Sequence, residues 1–194
     1  MKAVRSMLTR LDDYYRACGI HSTDLQCQCR NGCESTAAPG PFTEAKSAFV
    51  GENYEKAPLR LVFLGLDPGE GSEWRDASQR TPEAIRRKVQ CDPPGKNPHW
   101  RGTLLLAQRL LSTCDPAIKE LLRDLDCRTD GEKRGRLHNT IVPMFAHANA
   151  VRCSVGKAGN KQGSSKLYSN CQQYLRGEME VLRACPVFRY FAAR

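Results

Sequence analysis

The sequence contains no long uninterrupted hydrophobic run. A membrane-spanning helix needs about 20 consecutive apolar residues, and no segment of this chain comes near that length. The first 17 residues, MKAVRSMLTRLDDYYRA, mix apolar side chains with charges instead of forming the apolar core of a signal peptide. We therefore expect a cytoplasmic protein that has no membrane partner.

The familiar glycine-rich phosphate-binding motifs are also missing. Gly65, Gly69 and Gly71 lie close together, but their spacing does not match GxGxxG, and the chain has no GK[ST] segment. These absences argue against a nucleotide-hydrolysing enzyme. There is no internal repeat, so repeat architectures are excluded as well.

Acidic residues are outnumbered: 21 Asp and Glu stand against 30 Lys and Arg, which gives a formal charge of +9. This balance favours a polyanionic partner, nucleic acid first, with a basic but otherwise ordinary surface as the alternative. A length of 194 residues suits one compact domain better than two. We expect a single domain over residues 1–194, acting as a monomer.

The hydrophobic pattern alternates between strands and helices, which predicts an α/β fold with a doubly wound, three-layer parallel sheet flanked by helices. Strands are predicted at RLVFLGL (60–66), in IVPMFAHANAVRC (141–153) and at PVFRYF (186–191). Helices are predicted at 3–17, from Pro82 to about Val89, over TLLLAQRLLS (103–112), after Asp115-Pro116 to about Leu125, and after Ser164 or Ser165. The segment CRTDGEKRGRLHN (127–139) is predicted to be an exposed connection.

Cysteine is plentiful, with ten residues in the chain, and a reducing compartment makes a disulfide framework improbable. Cys27, Cys29 and Cys33 lie in one loop that has too few apolar residues to fix its own shape. Cys153 follows the second strand, and Cys171 lies in the helix after it. Four of these thiols suit an iron–sulfur cluster and equally a structural zinc ion, whereas Cys171 by itself is also an ordinary core residue.

Two polar residues follow predicted strands, Asp67 in GLDPG and Asn149 in ANAVRC. The carboxyl ends of parallel strands meet at one edge of a sheet, so we expect these side chains to lie close together. Alone, Asp-Pro-Gly is most often just a turn. Together, a carboxylate, an amide and flanking glycines suit the binding of a flat polar ligand, and the protein around them is basic.

These segments resemble the iron–sulfur uracil-DNA glycosylases, the bacterial and archaeal group called family 4. The resemblance runs from about Cys27 to Leu182. It rests on the cysteine loop, FVG, GLDPG, NPHWRGTLLLAQRLL, ANAVRC and NCQQYLRGEMEVLR. Most specific is the order of an Asn at a strand end, a Cys four residues later and a second Cys in the next helix, matched by Asn149, Cys153 and Cys171.

The resemblance implies excision of uracil from single- or double-stranded DNA by base flipping and hydrolysis of the N-glycosidic bond, as in base excision repair. It implies Asp67 and Asn149 as catalytic residues. Substrate-binding residues would be Gly65, Leu66, Pro68, Gly69, His99 and Trp100. A structural [4Fe–4S] cluster, with zinc as the alternative, would be bound by Cys29, Cys33, Cys153 and Cys171, with Cys27 in reserve. Candidate phosphate contacts are Arg152, Lys157, Lys161 and Lys166, with a solvated surface charge as the alternative for each.

Two departures from the family pattern leave alternatives open. Many members carry Glu where this chain has Asp67. The family also continues to a further strand and a His-Pro-Ser type motif, whereas the sequence stops at VFRYFAAR, so we expect C-terminal strands of the family to be missing. The alternatives are a catalytically degenerate iron–sulfur DNA-binding protein on the same scaffold, and a zinc-stabilised α/β protein that contacts nucleic acid or another protein.

Overall fold

The computed structural model describes residues 6–36, 42–43, 45–65, 76–91, 98–126, 130–155 and 161–183. The fold is mixed α/β. Its strands are β1 (Ile20–His21), β2 (Asp24–Leu25), β3 (Phe42–Thr43), β4 (Phe49–Val50), β5 (Leu61–Gly65), β6 (Phe145–Asn149) and β7 (Ser154–Val155). Its helices are α1 (Met7–Ala17), α2 (Arg30–Glu34), α3 (Pro82–Cys91), α4 (Pro98–Cys114), α5 (Pro116–Asp126), α6 (Asp130–Ile141) and α7 (Lys161–Leu182).

The largest described sheet has three strands in the order β4-β6-β5. Strands β5 and β6 are parallel, with Leu61 opposite Phe145 and Gly65 opposite Asn149. Strand β4 pairs with β6 in the antiparallel direction, so this sheet is mixed. Two small antiparallel pairs, β1 with β2 and β3 with β7, complete the described strands.

The two faces of the three-stranded sheet bury different sets of side chains. One face contributes Val50, Val62, Ala146 and Ala148, which pack against α1 residues and Leu182 of α7. The opposite face contributes Phe49, Leu61, Phe63 and Phe145, which pack against buried residues of α3, α4, α5 and α6. Strands buried on both faces are expected to be apolar throughout, and this accounts for the continuous run LVFL in β5.

Several sequence predictions are confirmed. Helix α1 occupies the part of the predicted 3–17 segment that is described. Helix α3 begins at Pro82 after Thr81, whose Oγ1 accepts a hydrogen bond from the amide of Ala84 at 3.3 Å. Helix α5 begins after Asp115, whose carboxylate accepts from the amide of Ala117 at 2.8 Å. Both are side-chain caps of the expected type.

Other predictions are wrong in detail. The segment predicted as an exposed connection contains most of α6, in which His138 is buried and its Nε2 donates to the carbonyl of Gln90 at 3.1 Å. The second strand is limited to Phe145–Asn149, because a 3₁₀ turn occupies Val142–Met144. Helix α7 begins at Lys161, before the predicted serine cap. The strand predicted at 186–191 lies outside the described residues.

No helix in the described ranges combines the length and the apolar character that crossing a membrane would require. The α/β class is confirmed, but the described strands do not show the predicted doubly wound, three-layer parallel sheet, because the described sheets are small and the three-stranded one is mixed.

Gly51 is needed where the chain leaves β4 and approaches the turn before β6. Its amide donates to the carbonyl of Phe145 at 3.0 Å, and a Cβ atom there would overlap the backbone carbonyl of Pro143. We expect Gly51→Ala to lower the free energy of unfolding by about 1–3 kcal/mol or more, because a backbone carbonyl cannot move aside like a side chain. Urea denaturation measures this.

Gly135→Ala in α6 is the matched control, since no atom lies within 4 Å of the added carbon. Alanine favours a helix over glycine by about 0.5–1 kcal/mol, so this variant should be unchanged or more stable. Equal stability of the two variants would contradict the close approach of residue 51 to Pro143.

Candidate functional site

The carboxyl ends of β5 and β6 bring Gly65 and Asn149 together. The two residues are paired in register, and the amide of Ala150 donates to the carbonyl of Gly65 at 2.7 Å. A Cβ atom at residue 65 would lie only 2.8 Å from Oδ1 of Asn149. The Asn149 amide therefore lies beside the backbone of Gly65, in space that any larger residue at position 65 would occupy.

His147 adds an imidazole to this strand end. The added carbon at residue 65 would lie 3.0 Å from Cε1 and 3.5 Å from Nε2 of His147, so the ring edge carrying these atoms faces Gly65. His147 is 7 % exposed. Sequence reasoning missed this residue, although the alternation of β6 places it on the same sheet face as Asn149; that alternation is the signal that could have found it.

Trp100, from the first turns of α4, completes this group. Its ring stacks on the imidazole of His147, with centroids 4.9 Å apart and planes 29° apart. It also contacts Phe49 at 5.9 Å and Phe145 at 6.2 Å between centroids. The imidazole of His147 thus covers one face of the Trp100 indole. The stacking of a base on Trp100 stays a prediction, and it would have to use the part of the indole that His147 leaves uncovered.

Several residues predicted for this site are not described. Leu66, Asp67, Pro68 and Gly69 lie outside the described residues, and His99 lies in α4 without a described side chain. Gly65 is therefore the last described residue before Asp67 in the chain. The predicted closeness of Asp67 and Asn149 stays a prediction.

A second group of residues gathers the cysteines. Cys33 of α2, Cys153 after β6 and Cys171 of α7 are buried in one cluster with Val151 and Leu167, and Cys29 packs against it. All four are free thiols. The structure thus brings together the four cysteines that the sequence singled out, from three separate parts of the chain.

The surroundings of the three buried thiols, Cys33, Cys153 and Cys171, oppose their ionisation. Burial raises the pKa of Cys153, and the neighbouring thiols of Cys171 and Cys33 raise it further. Burial also raises the pKa of Cys33 and of Cys171. A metal would have to displace these protons, because thiolates are the ligating form.

Hydrogen-bond donors already point at two sulfur atoms. Asn170 Nδ2 donates to Sγ of Cys33 at 3.2 Å, and this bond lowers the thiol pKa against the effect of burial. A backbone hydrogen bond from Arg152 does the same for the pKa of Cys171, where burial is again the larger effect. Bonds of this kind stabilise negative charge on sulfur, as iron–sulfur sites require.

Cys27 lies beside this cluster and contacts Tyr174, with 3.6 Å between Sγ and the phenol oxygen. Its thiol is also close enough to raise the pKa of both Cys153 and Cys171, after the larger effect of burial. Five thiols are therefore near each other, and the choice between Cys27 and Cys29 as a ligand stays open.

Within the described part of the chain, no three His, Cys, Asp or Glu side chains are arranged to hold a metal ion. The donor set nevertheless fits an iron–sulfur cluster or zinc in chemical type, since its members are soft thiol ligands. Buried surroundings and donors to sulfur add to that fit. The exposed Lys166 lowers the pKa of Cys33, although burial has the larger, opposite effect.

Arg152 does not contact solvent, so its prediction as a phosphate contact is wrong. It is 4 % exposed, its Nη1 donates to Glu178 at 2.8 Å, and its guanidinium lies 3.9 Å from the ring centroid of Tyr15. The phenol of Tyr15 donates to the same Glu178 carboxylate and accepts from the amide of Ala48 at 3.0 Å. Arg152 therefore links β6 to α1 and α7.

Comparisons of the chain with protein-family models, with curated proteins and with solved structures found no match. The residues at the two strand ends and the thiol cluster are therefore the features of the chain that bear on its function. Both groups come from segments that are far apart in sequence and meet only in the folded chain.

The buried Arg152–Glu178 pair generates a stability prediction. Arg152→Met leaves the Glu178 carboxylate buried without its cation, and breaking a buried pair costs about 3–5 kcal/mol. The free energy of unfolding in urea should fall by this amount. Replacing both partners, as in Arg152→Met with Glu178→Leu, should restore part of the loss because no buried charge remains.

Arg176→Met is the matched control, because the Arg176–Glu180 pair is largely exposed, at 88 % and 69 % for the two side chains. Such pairs contribute about 0.5 kcal/mol or less. If Arg152→Met proved as mild as Arg176→Met, the buried network would not stabilise the fold.

Proposed function

We propose that the chain is a uracil-DNA glycosylase of the iron–sulfur type, which excises uracil by base flipping and hydrolysis of the N-glycosidic bond. One observation carries the proposal: the Asn149 amide lies against Gly65 where the parallel strands β5 and β6 end. Ligands of open α/β sheets bind beyond such strand ends. Because Gly65 has no side chain, the Asn149 amide can lie directly against its backbone at this strand end.

Recognition of uracil would come from Asn149. Its side-chain N–H donates to the uracil carbonyl that cytosine replaces with an amino group, so cytosine would present a donor to a donor and be rejected. Asn149 is buried, with 9 % of the residue exposed. A buried donor left without its acceptor costs more than an exposed one, which strengthens this discrimination.

Asp67, two residues after Gly65 in the sequence, would act on the sugar. Its carboxylate would orient a water molecule toward the sugar carbon or stabilise the oxocarbenium character of the transition state. Backbone amides of the GLDPG turn would favour the departing uracil anion. Leu66, Pro68 and Gly69 would then line the base, with His99 or Trp100 as a stacking wall.

DNA is the proposed partner, in single-stranded or duplex form. The formal charge of +9 supports binding to phosphates, which supply most of the sequence-independent affinity for DNA. With Arg152 buried, the remaining candidates for phosphate contact are Lys157, Lys161 and Lys166, of which Lys166 is exposed on α7. Flipping then presents the uracil to the strand ends.

The proposed cofactor is a structural [4Fe–4S] cluster bound by Cys29, Cys33, Cys153 and Cys171, with Cys27 as the alternative to Cys29. When bound, the cluster would attach α2 and its loop to α7 and to the end of β6. The burial of three thiols in one cluster supports this assignment. Zinc is the alternative occupant, because it binds the same four-thiolate set.

The complete fold that we propose is a doubly wound, three-layer sheet with helices on both faces. Support comes from the parallel pair β5–β6, whose connection contains α3 to α6, and from the separate packing of the two sheet faces. Helical connections between parallel strands are typical of such folds.

Asp67→Asn should reduce uracil release by about 100-fold or more, because it removes the charge that activates water or stabilises the sugar cation. The measurement is single-turnover cleavage of a uracil-containing single strand at saturating protein. Binding of the same strand and the melting temperature should be retained. Asp24→Asn, at an exposed position of the β1–β2 hairpin, is the matched control and should keep full activity. Equal activity of both variants would remove Asp67 from the mechanism.

Cys153→Ala or Cys171→Ala should remove the visible absorption of anaerobically purified protein and lower its melting temperature, because the cluster loses a buried ligand. Cys114→Ala, which changes a free and exposed thiol, should leave both unchanged. Metal analysis separates the two occupants: iron with sulfide supports the cluster, and colourless protein with stoichiometric zinc supports the alternative. Unchanged colour and stability in Cys153→Ala and Cys171→Ala would show that this ligand assignment is wrong.

A further inference from the structure

The outward face of α4 carries an exposed stripe of two arginines and a leucine. The buried residues of this helix recur every four positions, at Thr103, Ala107 and Leu111. That spacing places them along one side of the helix, which packs into the core. Arg101, Leu105 and Arg109 have the same spacing but are displaced by two residues, so they lie on the opposite side, where all three are exposed. We call these three residues the α4 stripe.

The two arginines of the α4 stripe are not neutralised by the fold. The 17 residues of α4 include neither Asp nor Glu. Among the described residues, no carboxylate forms an ion pair with Arg101 or Arg109. On neighbouring helices the situation differs, since Arg87 of α3 and Arg123 of α5 each pair with a glutamate of their own helix, at 3.9 and 3.3 Å. The stripe therefore presents two uncompensated positive charges to solvent.

Leu105 adds apolar surface between these charges. It is 53 % exposed, and it is the one large hydrophobic residue that is exposed in the described part of the chain. The outward face of an amphipathic helix is normally polar, and the packing of the core does not require a leucine at this position. A single exposed leucine is ordinary by itself, but this one lies midway between two unpaired cations. The stripe thus alternates positive charge, apolar surface and positive charge.

This alternation matches a DNA strand whose bases are unpaired. Arg101 and Arg109 are eight residues apart, which is about 12 Å along a helix axis. Successive phosphates of one strand are separated by about 3.4 Å along a duplex axis and by more in an extended strand, so both guanidinium groups can contact phosphates a few nucleotides apart. Between its phosphates the strand exposes sugars and base faces, which are the apolar groups that proteins use to bind single strands.

We propose that the α4 stripe is a binding surface for single-stranded DNA, in which Arg101 and Arg109 contact phosphates and Leu105 packs on a sugar or a base. The identity of the partner rests on the proposed function, but binding at the stripe does not depend on base excision. Trp100 precedes Arg101, and its indole stacks on His147 of β6. The stripe therefore begins beside the candidate site and leads away from it along α4.

Removal of charge from the stripe tests the proposal. The probe is a fluorescein-labelled oligothymidylate, which contains no uracil and so reports binding alone, measured by anisotropy over a range of salt concentrations. Arg101→Gln combined with Arg109→Gln should reduce the slope of log K against log salt by about 1.4, because each phosphate contact with a single strand contributes about 0.7. At about 0.1 M salt this corresponds to an affinity loss of about 20-fold. The melting temperature should not change, since no described ion pair is broken.

Arg87→Gln combined with Arg123→Gln is the matched control. It removes the same amount of positive charge, but from exposed arginines that lie outside the stripe and already pair with glutamates. Affinity should stay within about twofold of wild type, because charges further than about 10 Å from the strand are screened at this salt concentration. Arg101→Lys combined with Arg109→Lys keeps both charges and should retain most of the affinity.

Leu105→Ala tests the apolar part of the stripe separately. The substitution removes apolar contact area but no charge, so affinity should fall by about fivefold while the salt slope stays at the wild-type value. Alanine is the residue that best favours a helix, and the leucine is already half-exposed, so the melting temperature should be retained. Unchanged affinity in Leu105→Ala would show that the strand does not lie across the middle of the stripe, and would overturn the proposed mode of binding.

The remaining outcomes separate this inference from the proposed function. If the wild-type protein does not bind oligothymidylate, or if the two double glutamine variants bind it equally well, the α4 stripe is not a DNA surface. Polyglutamate that displaces the strand as efficiently as unlabelled DNA of equal charge would also overturn the inference, because any polyanion would then suffice. Binding through the stripe by a protein that releases no uracil supports the inference and overturns the proposed function. Uracil release with binding that is insensitive to the stripe variants has the opposite meaning.

Discussion

The parallel register between β5 and β6 controls the position of every described residue at the candidate base site. Gly65 lies opposite Asn149, and Phe63 lies opposite His147. A shift by one residue would turn the side chains of β6 to the other face and place Ala148 where Asn149 now lies. The register is held by the burial of Phe145 among aromatic rings on one face and of Ala146 on the other. The core packing that holds the register therefore also sets the positions of the residues at the candidate site.

Helix α7 connects that register to the thiol cluster. Cys171, Tyr174 and Glu178 follow one another at spacings of three and four residues, so they lie on one side of the helix. Glu178 holds Arg152, and Cys171 shares a cluster with the adjacent Cys153. The ion pair fixes the rotation of α7 and thereby directs Cys171 toward Cys153. Arg152, which is next to Cys153, is thus a buried structural residue, which explains why a solvent-facing role for it is wrong.

Sequence patterns were sufficient where local chemistry decides the structure. The caps at Thr81 and Asp115 and the apolar run of β5 required no knowledge of distant residues. Helix α6 was missed because DGEKRGRLHNTI contains two glycines and few apolar residues; it forms against α4 and α5, and Ile141 joins their core cluster. Strand β4 has only two residues, too few for any periodicity, and its antiparallel direction depends wholly on β6.

At the candidate site, too, residues that are marked by local sequence could be predicted, and residues that depend on distant segments could not. Asn149, Cys153 and Cys171 could be identified because each stands at a recognisable position along the chain, at a strand end or at a set spacing. His147 is marked only by the alternation of β6, and within FAHAN it otherwise resembles any inward-facing residue of a buried strand. The residue is distinguished by its contacts with Gly65 and Trp100. These two residues come from two other segments and meet the imidazole only in the folded chain. The imidazole stacks on the indole of Trp100 and its edge faces Gly65, so the absence of a side chain at residue 65 is what allows this buried ring to pack at the strand end.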